Sequence, residues 1–300
     1  MIYIFRSILC SVSVGVLLKI VKKYTIDIVQ VITCNYVIAL LLSYTSFRPD
    51  LSVVTSEAPW AWYIVLGILL PSVFLFLAAS IRHMGIVKTD IAQRLSLFIP
   101  LLASYFIFHE TIPELKLTGL AIGFLAVFFT LYKSNTDGTT SQKWLYPAIV
   151  LLGFGTIDIL FKQIAAYTPI AYTTSLFVVF ICALVVALLL SIYGFLVQKS
   201  TFNKKNIVVG LLLGTLNFGN ILFYLKAHKA FSSNPSTVFA SMNLGVVVLG
   251  SLIGIFAFHE KMNRINYAGI LMAIVAIILI TLSQLNYSYA DLTAYMATIF

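Results

Sequence analysis

Long apolar runs alternate with short polar stretches along almost the whole of this 300-residue chain. The runs are continuous rather than alternating at every second residue, which favours helices and excludes a membrane barrel of strands. A bilayer core about 30 Å thick requires about 20 helical residues. Ten runs have about this length, at residues 2–21, 27–46, 60–82, 88–108, 115–132, 144–164, 170–197, 206–228, 236–258 and 265–284. The pattern therefore predicts an all-α integral membrane protein with ten transmembrane helices.

The stretches between the runs are short and contain turn residues, such as Arg-Pro-Asp at 48–50 and Ser-Asn-Thr-Asp-Gly at 134–138. None of them could hold a soluble domain. The first run starts at Met1 and contains Arg6, and no small-residue cleavage site follows it. We therefore expect a first helix rather than a signal peptide. The last stretch, 285–300, mixes tyrosines with polar residues, as membrane interfaces do.

Two sequence matches indicate an internal duplication. Leu-Leu-Lys at 17–19 recurs as Leu-Phe-Lys at 160–162, and Tyr-Thr follows five residues after the Lys in both places. Phe-His-Glu at 108–110 recurs at 258–260, which is 150 residues later. Two matches in nearly the same register favour a duplicated unit of five helices.

A duplicated unit with an odd number of helices places its second copy upside down in the membrane. The sequence therefore predicts two inverted five-helix repeats, the first at 1–143 with its connecting loop and the second at 144–284, followed by a tail at 285–300. Inverted repeats around a central cavity are the architecture of many secondary transporters.

The composition supports a membrane location and argues against several functions. Hydrophobic residues make up 61% of the chain and charged residues only 10%, so lipid must be the solvent for most of it. The net charge of +9 comes from basic residues scattered singly, which indicates membrane anchors rather than a nucleic-acid surface. Cys10, Cys34 and Cys182 lie inside apolar runs and are interpreted as packing residues. No metal, phosphate-loop or hydrolase motif occurs, so no enzyme, metal or cofactor is predicted.

Ionisable side chains inside the predicted helices are the first candidates for function. A charge there costs about 2.5–3.5 kcal/mol, so it usually faces the protein interior or a wet cavity. Asp90 and Arg94 are four residues apart, as are Asp158 and Lys162, with the acid first, the favourable order for a helical ion pair. Two interpretations stay open: each pair is structural, or Asp90 or Asp158 carries a coupling proton.

Polar side chains nearby suggest what a substrate could contact. Gln93 and Arg94 could together hold a carboxylate or phosphate, because a guanidinium binds such groups with two hydrogen bonds. This favours an anionic or zwitterionic substrate, for example one resembling an amino acid. Asn217 and Asn220 share one face of the eighth predicted helix. The alternative for these asparagines is hydrogen bonding between helices.

At the repeated residues the chain resembles the drug/metabolite transporter (DMT) superfamily, in particular its EamA-like ten-helix members. In that family the fourth and ninth helices end in a Glu, and a short turn leads to a Gly-containing helix. Glu110 with Gly119, and Glu260 with Gly269, correspond to this pattern. The resemblance covers residues 1 to about 284. The stretch 92–96 departs from it, because it is more polar than the apolar run typical there.

The resemblance implies a secondary transporter that moves a small metabolite by alternating access. It places Asn243 across the same cavity as Asn217 and Asn220. His109 with Glu110 and His259 with Glu260 have the side chains of a metal or acid–base cluster, but the two copies would lie at opposite ends of an inverted structure. Glu110 and Glu260 are therefore interpreted as structural residues at helix ends. The expected partners are a small-molecule substrate, membrane lipids and protons, with no nucleic acid. A flippase for a lipid or lipid-linked headgroup is the first alternative on this scaffold, and an intramembrane enzyme is the second.

Two arguments disagree on orientation. The loops that join predicted helices 1 and 2, 3 and 4, 5 and 6, 7 and 8, and 9 and 10 lie on one side of the membrane, and this side holds 13 Lys and Arg residues. The opposite side, which carries both termini, holds 6. The positive-inside rule then predicts both termini outside the cell, whereas the family resemblance implies both termini in the cytoplasm. The expected location in either case is the inner membrane of a bacterium.

Overall fold

The computed structural model contains ten helices in the residues that it describes, numbered here in chain order. The described residues are 1–21, 26–84, 89, 92–93, 95–96, 98–131, 145–197, 199, 201, 203–259 and 263–285. The helices are α1 Ile2–Val21, α2 Ile28–Phe47, α3 Trp60–Met84, α4 Phe98–Phe106, α5 Glu114–Leu131, α6 Leu145–Ala166, α7 Tyr172–Leu196, α8 Lys204–Ala230, α9 Pro235–Phe258 and α10 Arg264–Gln284. Each predicted apolar run thus contains a helix, and the described part has no strand.

Seven of these helices, α2, α3 and α6 to α10, are long and apolar enough to cross a membrane. The chain is therefore a multi-pass membrane protein. The apolar stretch of α1 that meets these criteria for composition, Ile2–Leu18, is shorter, and α4 has only nine residues as a continuous helix. The predicted helix over 88–108 thus ends two residues early, at Phe106. Its first half includes residues that lie outside the described part, Asp90 and Arg94 among them.

Polar side chains start several helices. Asp27 accepts hydrogen bonds from the backbone N–H groups of Val29 and Gln30 at the start of α2, and Asn203 accepts one from Lys205 at the start of α8. At the start of α10, the Asn263 side chain and a residue one turn later cap each other reciprocally. These side chains satisfy backbone donors that have no partner within the first turn.

Left-handed residues follow corresponding helices of the two halves. Among the described residues, four that are not glycine have a positive φ: Arg48 after α2, His109 after α4, Lys199 after α7 and His259 after α9. A side chain in this region is uncommon because its Cβ crowds the backbone. The four fall into two pairs that are 151 and 150 residues apart, close to the spacing of the sequence repeat.

Many helix contacts recur when each helix is exchanged for the one five places away, although others, such as those of α6 with α8 and of α9 with α10, have no counterpart among the main contacts of the described residues. α5 packs on α10, α2 on α7, and α4 on α9. α1 packs on α8 and α9, just as α6 packs on α3 and α4. α2 packs on α8, just as α7 packs on α3. Most of the interface therefore lies between the first five helices and the last five.

Contacts along the helices give their relative directions. α1 runs antiparallel to α8, as shown by the contacts of Ser7 with Asn220 and of Tyr3 with Lys226. α6 runs parallel to α8, as shown by the contacts of Asp158 with Tyr224 and of Lys162 with Ser232. α1 and α6, which correspond under the exchange, therefore run in opposite directions. Two further corresponding pairs are antiparallel, through Thr33 with Ser191, Tyr44 with Phe177, Gly119 with Ile280, and Phe129 with Asn266.

Glycines allow close approach at two equivalent helix crossings. Gly210 of α8 lies against Cys34 of α2, and Gly67 of α3 lies against Cys182 of α7. A Cβ atom at either glycine would overlap the cysteine Cβ and crowd nearby backbone atoms. Small residues at such crossings drive helix association in lipid, where van der Waals packing is a principal force. Cys34 and Cys182 thus act as small packing residues.

Replacing Gly210 by Val should separate α8 from α2. We expect a loss of about 1–3 kcal/mol, the usual cost of overpacking, measured as a lower melting temperature of the detergent-purified protein. Gly194→Val is the matched control, because it places the same β-branched residue in a helix with nothing within 4 Å of its Cβ. Equal melting temperatures for the two variants would contradict this account of the crossing.

Candidate functional site

Five helices form a closed ring in which each packs on the next. The order is α1, α8, α6, α4, α9 and back to α1. Two helices of the ring, α1 and α4, belong to the first half, and the other three belong to the second half. Any space inside the ring is therefore bounded by both halves. In bundles of helices, ligand sites lie between helices whose polar side chains converge. A ligand site inside the ring would therefore be formed by polar side chains of these five helices.

α8 carries a stripe of polar residues along one face. Asn217, Asn220, Tyr224 and His228 are spaced by three, four and four residues, which keeps them in line on a helix. Each contacts a different neighbouring helix, in order α2, α1, α6 and α9. This stripe joins the two predicted asparagines to two residues that the sequence analysis did not single out.

The predicted asparagines do not meet in one site. The Asn217 amide donates to Asn35 over 3.3 Å in the buried interface with α2. Asn220 accepts a 2.7 Å hydrogen bond from Ser7 of α1. Asn243 donates to a backbone carbonyl of its own helix, one turn earlier. The interhelical alternative therefore describes the contacts of Asn217 and Asn220.

The predicted ion pair between Asp158 and Lys162 is wrong. Asp158 instead accepts a 2.8 Å hydrogen bond from the Tyr224 hydroxyl of α8. The Lys162 ammonium donates over 2.7 Å to the carbonyl of Ser232 and lies 5.8 Å from the centre of the Phe108 ring. The spacing of four residues permits a pair, but each side chain has a partner on a neighbouring segment.

His228 lies beside these groups at the end of α8. Its side chain is fully buried, and neither ring nitrogen has a hydrogen-bond partner. The rings of Tyr224 and Phe239 pack against it, with centroids 4.6 and 4.7 Å away. A buried polar atom without a partner costs about 1–3 kcal/mol. The imidazole therefore has hydrogen-bonding capacity that the protein leaves unused.

Glu110 joins the two halves at the same end of the molecule. Its carboxylate accepts hydrogen bonds from the backbone N–H and the hydroxyl of Ser236, in the first turn of α9, at 3.0 and 2.6 Å. It also forms an ion pair of 2.5 Å with Lys116. All three groups are buried. Asn234, the residue before α9, provides no side-chain cap, so Glu110 satisfies a free donor of that helix.

Of the remaining predicted residues, only Gln93 lies in the described part. Gln93 is partly buried, and its backbone carbonyl accepts a hydrogen bond from Ser96. Asp90, Arg94 and Glu260 lie outside the described residues.

The residues that sequence reasoning missed are Lys116, Tyr224 and His228. Tyr224 and His228 continue the spacing of Asn217 and Asn220, and this periodicity could have revealed them. Lys116, six residues after Glu110, resembles an ordinary basic anchor at a helix start. Within the described ranges, His, Cys, Asp and Glu side chains form no group of three or more that could hold a metal ion.

Comparison with known proteins identifies the fold and the family. No protein-family profile matches the chain. A protein of known crystal structure superimposes with a TM-score of 0.70 at 15% identity, over 94% of this chain and 96% of the other. An uncharacterised protein of Haemophilus influenzae is 40% identical over 279 residues, which cover 90% of this chain and 94% of that protein. The chain is thus a multi-pass helical membrane protein whose fold occurs among solved structures. It belongs to the same family as the Haemophilus influenzae protein.

Removing the charge of Glu110 should destabilise the protein strongly. Glu110→Gln leaves the buried Lys116 ammonium uncompensated, which typically costs about 3–5 kcal/mol, and we expect a matching fall in melting temperature. Adding Lys116→Met should recover part of the loss. Glu57→Gln, at an exposed acid, should change stability by less than about 0.5 kcal/mol. Equal effects at both positions would contradict the buried pair.

Proposed function

We propose that this protein is a secondary transporter that moves a small metabolite across the membrane by alternating access, and that it is not an enzyme. The observation that carries the proposal is that corresponding helices of the two halves run in opposite directions. α1 and α6 do so, and α2 with α7 and α5 with α10 are antiparallel partners. Inverted repeats of this kind let one half rock against the other around a fixed site.

The packing pattern adds support to this proposal. The helix contacts that recur and the paired left-handed residues both follow the offset of about 150 seen in the sequence repeat. The resemblance to the EamA-like drug/metabolite transporters leads to the same inverted arrangement of ten helices. The sequences of the two halves have otherwise diverged, which is common in duplicated transporters.

The polar residues on α6 and α8 form the site of this transporter in our proposal. Asp158 lies in the middle of a membrane-spanning helix and is partly buried, with Tyr224 as its hydrogen-bond donor. An intramembrane carboxylate is expensive to maintain and marks an ion or proton pathway by default. Asp158 therefore carries the coupling proton, and Gln93 and Arg94 contribute to substrate binding. The relative from Haemophilus influenzae supports a bacterial inner membrane as the location.

A flippase is the second candidate function, and one observation favours it. An apolar groove of about 410 Å³ lies between α5 and α10, lined by Phe129, Arg264, Ile265 and Ala268. An acyl chain could occupy such a groove with its headgroup beside Arg264. Transfer of a fluorescent phospholipid between the leaflets of liposomes containing the purified protein would favour this function over metabolite transport.

Neutralising Asp158 should uncouple transport from the proton gradient. Proteoliposomes are supplied with isotope-labelled extract of small metabolites, and uptake is measured with and without a pH gradient. With Asp158→Asn, we expect uptake to fall to the level seen without a gradient, because Asn keeps an acceptor for Tyr224 but cannot bind a proton. Asp50→Asn, at an exposed loop acid, is the control. A full gradient response in Asp158→Asn would contradict the coupling role.

Labelling of single cysteines should show that successive loops lie on opposite sides of the membrane. In a background without native cysteines, Ser134→Cys and Ser200→Cys should label together from one side of intact cells, because both precede an even-numbered helix. Ser52→Cys, between α2 and α3, should label only from the other side. The side that reacts with an impermeant reagent also settles the orientation of the termini. Labelling of all three from the same side would contradict ten alternating helices.

A further inference from the structure

The Lys162 ammonium is a buried cation without a counter-ion of its own. Its side chain is 3% exposed, and its contacts are the Ser232 carbonyl and the face of the Phe108 ring. A carbonyl and an aromatic ring offset only part of the cost of a buried charge. An anion is therefore the chemically matched ligand for Lys162.

The nearby carboxylates are already engaged. Glu110 lies within electrostatic range of Lys162, but its two oxygens accept three hydrogen bonds from Lys116 and Ser236. Asp158, one turn before Lys162, is bonded to Tyr224. The charge of Lys162 is thus not matched by a direct partner, although an ammonium group has three donors and uses only one here.

His228 supplies a second donor at the same level of the bundle. α6 and α8 are parallel, and Asp158 contacts Tyr224, so Lys162 and His228, each four residues further along, lie at a similar level of the bundle. Lys162 acts electrostatically on His228. The imidazole is fully buried with both nitrogens unpartnered, and a neutral imidazole can donate one N–H. Two nitrogen groups with unused hydrogen-bonding capacity therefore occur on adjacent helices, between aromatic rings.

We propose that Lys162 and His228 bind the anionic group, a carboxylate or a phosphate, of the transported substrate. This rests on the proposed transport function and names the charge class of its substrate. The rings of Phe108, Tyr224 and Phe239 surround the two donors, and exclusion of water strengthens a charge-assisted hydrogen bond. Both donors are closed to solvent in this conformation, so the anion enters when the ring of helices opens.

Melting of the full-length, detergent-purified protein tests this site. Sodium succinate and sodium phosphate are compared with sodium chloride at equal ionic strength, and phosphatidylglycerol is added in a separate arm. Bound anion should raise the melting temperature by about 3 °C at about ten times its Kd. The rise should disappear in Lys162→Gln and persist in Lys204→Gln, whose lysine is exposed at the start of α8.

His228→Phe separates binding from folding. Phe keeps a ring between Tyr224 and Phe239 and removes both unpartnered nitrogens, so the variant should melt at or above the wild-type temperature in chloride. It should also lose the response to anions. This variant decides the question if Lys162→Gln does not fold.

Each outcome has a defined meaning. If succinate or phosphate raises the melting temperature of the wild type but of neither Lys162→Gln nor His228→Phe, the site binds a soluble anion. If only phosphatidylglycerol does so, and both variants lose this response, the same site binds the headgroup of a lipid. No response in the wild type, or an undiminished response in His228→Phe, overturns the proposal. If the anion site is overturned but the wild-type protein still takes up metabolites, the proposed transport function stands. If the wild type responds to anions but takes up no metabolite, only the transport function is overturned.

Discussion

Lipid offers no hydrogen bonds, and this constraint governs the whole structure. The backbone N–H and C=O groups must form their hydrogen bonds within a helix. A polar side chain inside the bundle must bond to another segment, or its unpaired group destabilises the protein. Ser7 with Asn220, Asn35 with Asn217, and Glu110 with the start of α9 follow this rule. In the described part of the chain, the hydroxyls of Tyr36, Ser43 and Ser241 and both ring nitrogens of His228 are buried without a hydrogen-bond partner. His228 differs from the three hydroxyls because a buried cation, Lys162, acts on it electrostatically. We therefore assign function to the ends of α6 and α8.

The same constraint gives the two ends of the molecule different chemistry. Lys116, which pairs with Glu110, corresponds at an offset of 150 to Asn266. Asn266 instead closes the capping box of α10 and donates to the carbonyl of Phe129. Glu110, paired with Lys116, therefore bonds the first half to the start of α9 at this end, and the residue that matches Lys116 at the other end is neutral. In the transporter that we propose, this asymmetry would favour one resting state.

Hydropathy alone predicted the ten helices closely, because run length is set by the thickness of the bilayer. It could not assign side-chain partners. Asp158 and Lys162 have the spacing of an ion pair, but Tyr224 and Ser232 lie closer to them in the packed bundle. His228 escaped notice because a buried imidazole in an apolar run looks like a core residue. Its missing partners are visible only once the neighbouring helices are in place.

The central claim is that two antiparallel halves rock around the polar site on α6 and α8. Double electron–electron resonance in proteoliposomes tests it most directly. Spin labels at Glu57 and Ser233 report one end, and labels at Phe129 and Lys204 report the other, at pH 5.5 and pH 8 and with succinate added. The account predicts that one distance widens by several ångströms when the other narrows. Unchanged distances at both ends under every condition would contradict it.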